Sequence, residues 1–95
     1  MHARVATFEH ENVDQMVEEI RRDVESGRRP PGLEDAKGVM VLVDRDGGKS
    51  MGIVLFDSEE AMRRGDEALN QMTPGEGSRR TSVEFYEVPV QQMEG

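Results

Sequence analysis

Cysteine and tryptophan are absent from this chain, and aromatic residues are scarce, with one tyrosine and three phenylalanines among 95 residues. Without cysteine the chain cannot form a disulfide, present a thiol nucleophile or build a cysteine-based zinc site. Its two histidines, His2 and His10, lie eight residues apart, which is not a recognised spacing of metal ligands. We therefore expect no metal and no other cofactor.

Basic residues are also in deficit, because 20 acidic residues outnumber 12 lysines and arginines and give a formal charge of −8. Nucleic acids and anionic membranes both attract basic faces, so neither is an expected partner. No apolar run approaches the length of about 18 residues that a membrane-spanning helix needs, and residues 1–5 lack the apolar core of a signal peptide. We expect a soluble, cytoplasmic protein.

The most informative segment is 38–57, in which two apolar runs flank a Gly-rich turn, as in a β-hairpin. Neither run alternates cleanly between apolar and polar residues. Val41 and Leu42 face opposite sides of the predicted sheet, and so do Ile53 and Val54. A sheet with helices on one side and water on the other needs only one apolar face, so the second face requires a cover. We expect that cover to be a second copy of the chain.

Hydrophobic periodicity and capping residues divide the rest of the chain into strands and helices. Asn12 and Ser58 are expected N-caps, and Gln15 stands where a capping box with Asn12 needs it. The predicted elements are a strand over 2–8, a helix from Asn12 to the Ser26-Gly27 pair, the hairpin, a helix from Ser58 to Met72, and a strand over 80–90. The segment 28–37, rich in Pro and Gly, fits either a lid or a plain connection.

The resulting order, β-α-β-β-α-β, is the split βαβ arrangement. It predicts an α+β, ferredoxin-like fold with an antiparallel sheet and both helices on one face. Right-handed crossovers place the strands in the spatial order 4-1-3-2. We expect one domain over residues 1–95.

The first and last strands are then expected to be antiparallel neighbours. A register of constant sum places Arg4 opposite Glu84 and His2 opposite Tyr86, so that these side chains share one face of the sheet. They would either line a small pocket with a few polar groups, or Arg4 and Glu84 would form an ion pair that offsets the cost of burying them.

Four segments of the chain are similar to segments of a known protein family. They are the opening strand His2-Ala3-Arg4-Val5, the turn Pro31-Gly32-Leu33, the junction Leu55–Ala61 and the closing strand Val83–Val88. Over nearly the whole chain, this succession resembles the antibiotic-biosynthesis-monooxygenase-like family of dimeric α+β barrels. The resemblance implies a homodimer in which two ferredoxin-like subunits stack sheet against sheet, with the helices outside.

That family includes cofactor-free oxygenases of polycyclic aromatic compounds, haem-degrading enzymes and proteins with no assigned activity. Its active members tend to place a Trp and an Asn at a cavity between sheet and helices, and the haem-degrading enzymes present an axial His from the second helix. This chain has no Trp, Asn12 is an expected cap, Asn70 lies near the end of the second helix, and no His lies between Ser58 and Met72. These departures from the pattern of the active family members argue against haem degradation and weaken the case for oxygenation.

The candidate ligand-binding residues are His2, Arg4, Phe8 and Tyr86. No catalytic residue is assigned, because the chain contains no recognisable nucleophile motif. The methionines on the predicted inner helix faces, together with Phe56, either fill the core or shape an adaptable apolar cavity. These methionines are Met16, Met62 and Met72.

Two functions of different classes fit these observations. The first is a homodimeric protein that binds a small apolar or aromatic ligand without a cofactor of its own. The alternative is a cofactor-independent monooxygenase-like enzyme that acts on an aromatic or quinol substrate. A closed cavity of at least ~300 Å³ with a polar group at its end would favour the enzyme, and a solidly packed interior would leave it little room.

Overall fold

A computed structural model describes residues 1–27, 32–72, 75 and 77–92. The fold is α+β, with a four-stranded antiparallel sheet and two helices. The elements are β1 (His2–His10), α1 (Val13–Glu25), β2 (Gly38–Asp44), β3 (Lys49–Phe56), α2 (Glu59–Asn70) and β4 (Ser78–Glu87). The strands lie in the order β2-β3-β1-β4, which is compatible with a ferredoxin-like fold. Residues 28–31 of the predicted lid or connection lie outside the described residues.

Both expected helix caps are confirmed. The Asn12 side chain accepts a hydrogen bond from the Gln15 backbone N–H at 3.1 Å, and the Ser58 hydroxyl accepts one from the Ala61 N–H at 3.1 Å. These bonds satisfy backbone donors that the first turn of a helix leaves free. The Gln15 side chain donates to Glu19 instead of reaching back to Asn12, so only half of a capping box forms.

α2 lies close to the sheet because Gly65 has no side chain. A Cβ at this position would lie 2.6 Å from Cζ of Phe56 and 2.8 Å from the Gly32 carbonyl oxygen. Phe56 is fully buried, and it forms the core with neighbours from β3 and α2. The buried core cluster comprises Val54, Phe56, Ala61 and Met62. Phe56 and Met62 therefore pack the core rather than line a cavity.

The predicted register of β1 and β4 is wrong over most of its length. Arg4 lies opposite Phe85 and His2 opposite Glu87, one residue away from the prediction. The register shifts between Thr7, which pairs with Ser82, and Phe8, which pairs with Arg80, so that no β1 residue pairs with Thr81. The hydroxyl of Thr81 donates to the Thr7 carbonyl at 3.2 Å. A bulge that adds one residue to one strand moves every side chain beyond it to the other face, so Arg4 and Tyr86 lie on opposite faces.

The hairpin carries apolar side chains on both faces, as the sequence predicted. Leu42 projects to the face away from the helices and is 44% exposed, whereas Val41 projects toward α1 and is 39% exposed. The face turned away from the helices, here called the open face, carries further apolar side chains from all four strands. They are Met40, Leu42, Met51, Ile53, Leu55, Val5 and Tyr86.

Candidate functional site

A cleft of about 720 Å³ lies between α1 and the helix-facing side of the sheet. It exists because α1 lies further from the strands than α2 does, and of its residues only Val13 is buried. The cleft is open to solvent and therefore differs from the closed cavity that would favour an enzyme. Its apolar lining comes from Phe8, Met16, Ile20, Val41 and Met72.

Gly52 forms part of the cleft wall on β3. A Cβ built at Gly52 would meet no atom within 4 Å, which means that the space above this strand position is empty. A second hollow of about 390 Å³ lies alongside, between α1 and β2, and shares Ile20 and Val41 with the first. Together the two hollows extend the apolar surface toward the edge strand β2.

Three polar side chains meet at one end of the sheet and line the cleft there. His10 is the last residue of β1, Ser78 is the first of β4, and Ser50 lies near the start of β3. The His10 Nδ1 is 2.7 Å from the Ser78 Oγ, and the His10 Nε2 is 2.6 Å from the Ser50 Oγ. Both imidazole nitrogens are therefore hydrogen-bonded to serine hydroxyls, and we call this group the His10 trio.

Backbone hydrogen bonds hold the trio in place. The His10 N–H donates to the Gly48 carbonyl in the hairpin turn, and the Glu11 N–H donates to the Gly77 carbonyl, both at 2.8 Å. Gly48 and Gly77 have φ values of +66° and +78°, which other residues rarely adopt. These glycines let two loops turn tightly against the end of β1, which brings Ser50 and Ser78 to the imidazole.

Burial lowers the pKa of His10 below its ordinary value of 6.5. The imidazole is therefore mainly neutral at pH 7, with one nitrogen as donor and the other as acceptor. Phe8 lies beside it, with ring centroids 6.1 Å apart and ring planes 25° apart. The His10 trio thus places uncharged hydrogen-bonding groups beside a flat apolar wall.

Of the four candidate ligand-binding residues, the structure places Phe8 in the cleft. Arg4 is buried on the same side of the sheet, where its Nε donates to the Asp66 carboxylate at 2.8 Å, so the alternative pair with Glu84 is wrong. His2 lies at the start of β1 opposite Phe56, away from the lining residues.

Tyr86 lies on the open face, apart from the cleft. Its hydroxyl donates to the Glu84 carboxylate at 2.8 Å, and this hydrogen bond, with the negative charge of Glu84, raises the pKa of Tyr86 above 10.0. The structure therefore separates Tyr86 from Arg4 and Phe8, which the predicted register had placed with it.

Sequence reasoning missed Ser50 and Ser78 as partners of His10. The two serines are 28 residues apart in the chain, and no local motif connects them to His10. The available signal was strand pairing, because His10 lies opposite Ser78 and Phe8 lies opposite Ser50. Met16 and Met72 line the cleft, which was one of the two readings that the sequence left open.

Comparison with protein-family models, curated proteins and solved structures found no match. Within the described ranges, no three His, Asp or Glu side chains are grouped so that they could hold a metal ion. None of the helices in the described part of the chain is long and apolar enough to cross a membrane.

Proposed function

We propose that this protein binds a small apolar or aromatic ligand in the cleft between α1 and the sheet, and that it does so as a homodimer joined through the open face. The observation that carries the binding proposal is the cleft itself. Its volume of about 720 Å³ lies within the range of about 300–1,000 Å³ that is typical of small-molecule sites. Its walls are mainly apolar, and the His10 trio supplies uncharged polar groups at one end.

The methionines support an adaptable site. Met16 and Met72 contribute flexible thioether side chains from α1 and from the residues after α2. Such side chains adjust to ligands of different shape at little cost in rotamer energy. The empty space above Gly52 gives a flat ligand room to approach the backbone of β3.

The apolar side chains of the open face support the dimer. Met40, Leu42 and Met51 lie next to one another on β2 and β3 and are each more than one-third exposed. Burial of such a patch against a second copy would remove apolar surface from water, worth about 25 cal/mol per Å². The resemblance to the antibiotic-biosynthesis-monooxygenase-like family is consistent with this arrangement, in which two sheets face each other.

Titration of the ¹⁵N-labelled protein with butylbenzene, followed by NMR, tests the binding proposal. We expect saturable shifts at the backbone amides of cleft residues such as Phe8, Ile20 and Val41. Gly52→Val adds a side chain to the empty wall and is expected to abolish these shifts, because the new methyl groups occupy the ligand's space. Valine suits a strand interior, so the variant is expected to fold.

Ser82→Val is the matched control. Ser82 pairs with Thr7, so its side chain lies on the open face rather than in the cleft. The same new side chain at this position should leave butylbenzene binding unchanged. Shifts confined to open-face residues, or shifts that survive Gly52→Val, would contradict a site in the cleft.

A further inference from the structure

The His10 trio contains one more hydrogen-bond donor than its own contacts use. A neutral imidazole carries one N–H and two serines carry two O–H groups, which gives three donors. The two contacts, Nδ1 to Ser78 and Nε2 to Ser50, each consume one donor. One serine hydroxyl therefore keeps a hydrogen that no group within the trio accepts.

The difference in burial between the two serines indicates which hydroxyl keeps the spare hydrogen. Ser50 is only 5% exposed, whereas Ser78 is partly exposed. An unsatisfied donor costs more when it is buried, so the favoured arrangement is the one in which the Ser50 hydroxyl donates to Nε2 of His10. Nδ1 of His10 then carries the proton and donates to Ser78 Oγ. The hydrogen of the Ser78 hydroxyl is left for an acceptor in the cleft.

The charges around the cleft restrict what that acceptor can be. Every charged side chain that the described residues contribute to the cleft lining is acidic, namely Glu11, Glu19 and Asp23. A ligand carboxylate or phosphate would lie among like charges and lose hydration without gaining a cationic partner. An uncharged oxygen acceptor is not repelled by these carboxylates, and it gives up less hydration than an anion when it enters the cleft.

We propose that the cleft selects an uncharged apolar molecule that carries one oxygen acceptor, and that the Ser78 hydroxyl donates to this oxygen. This inference rests on the proposed function and assigns the chemical class of its ligand. The apolar body of the ligand lies along Phe8, Ile20 and Val41, and the oxygen lies at the His10 trio. Ser78 acts as the recognition residue, and Ser50 and His10 orient it.

Three probes of matched size test the proposal: butyrophenone, butylbenzene and 4-propylbenzoate. Butyrophenone differs from butylbenzene by a carbonyl in place of a methylene, and 4-propylbenzoate carries a charged acceptor. The decisive quantity is the ratio of butyrophenone affinity to butylbenzene affinity, measured by NMR titration in wild type and in Ser78→Ala. Using the ratio removes any general effect of the substitution on the cleft.

We expect Ser78→Ala to lower this ratio about 5-fold or more, since a net hydrogen bond contributes roughly 1 kcal/mol. Ser82→Ala, on the same strand but on the open face, should leave the ratio unchanged. 4-Propylbenzoate is expected to bind more weakly than butyrophenone at pH 7. An unchanged ratio in Ser78→Ala, or tighter binding of the benzoate, would overturn the proposal while leaving the cleft as an apolar site. Failure of all three probes would overturn the proposed function as well.

The imidazole tautomer gives an independent readout that needs no variant. ¹⁵N chemical shifts of the His10 ring should show the proton on Nδ1 and a bare Nε2. Addition of butyrophenone should preserve this tautomer, because the ligand bonds to Ser78 and not to the ring. A proton on Nε2 would assign the spare hydrogen to the buried Ser50 and contradict the proposed role of Ser78.

Discussion

At the scale of single residues, Arg4 is a buried charged side chain that depends on its partners. Its side chain is 5% exposed, and Asp66 of α2 accepts from its Nε at 2.8 Å. Asn70 adds a weaker contact at 3.3 Å and also bonds to Asp66. The carboxylate compensates a buried positive charge, and its removal would leave that charge without a counterion.

We expect Asp66→Ala to lower the free energy of unfolding by about 3 kcal/mol, measured by urea denaturation. Glu67→Ala is the matched control, because Glu67 is the next residue on α2 and is exposed. Its removal should change stability by no more than about 0.5 kcal/mol. Equal effects of the two substitutions would mean that Arg4 does not depend on Asp66.

His10 makes stability depend on pH in a defined direction. Its folded pKa lies below 6.5, so the unfolded chain takes up a proton at a higher pH than the folded chain does. The stabilisation that comes from neutral His10 is fully present above pH 6.5 and is lost as the pH falls through the folded pKa.

The free energy of unfolding of wild type should therefore fall more steeply between about pH 7.5 and 5.5 than that of His10→Gln. Urea denaturation at several pH values measures both curves, and their difference isolates His10 from the carboxylates that titrate at lower pH. His2→Gln is the control substitution, because it removes a histidine but leaves the His10 trio intact. Parallel curves for wild type and His10→Gln would show that the imidazole is not held neutral by the fold.

At the scale of elements, local patterns predicted the strands and helices well, because caps and periodicity act over a few residues. Asn12 and Ser58 begin their helices as expected. The register of β4 could not be predicted, since the bulge at Thr81 has no compositional signal and depends on where both ends of the strand are fixed. The cleft could not be predicted either, because it results from how far α1 lies from the sheet.

Gly65 sets the distance of α2 from the sheet, so a larger residue at this position should force the two apart. Gly65→Ala should destabilise the protein by about 1–3 kcal/mol, although alanine favours a helix by about 1 kcal/mol, because the new methyl group would overlap Phe56. Gly52→Ala makes the same substitution where space is empty and should be neutral or slightly stabilising. Thermal unfolding of both variants compares them directly, and a stable Gly65→Ala would show that α2 can move away from β3 at no cost.

At the scale of the whole molecule, the proposed dimer must overcome the repulsion between two chains that each carry a formal charge of −8. Salt screens this repulsion within a Debye length of about 10 Å at 0.1 M, whereas apolar burial at the open face is not weakened by salt in the same way. Association is therefore expected to strengthen as ionic strength rises, the opposite of an interface held by complementary charges.

Leu42 and Val41 are neighbours on β2 with similar exposure and opposite faces, so they form a matched pair for testing the dimer. Leu42→Asp places a charge on the open face and should convert the dimer to a folded monomer in light scattering. Val41→Asp places the same charge at the cleft, and it should leave the dimer intact while weakening butylbenzene binding.

The urea midpoint of wild type should rise with protein concentration, and that of Leu42→Asp should not. A wild-type monomer would contradict the proposed dimer. A dimer that survives Leu42→Asp but not Val41→Asp would place the association surface away from the open face.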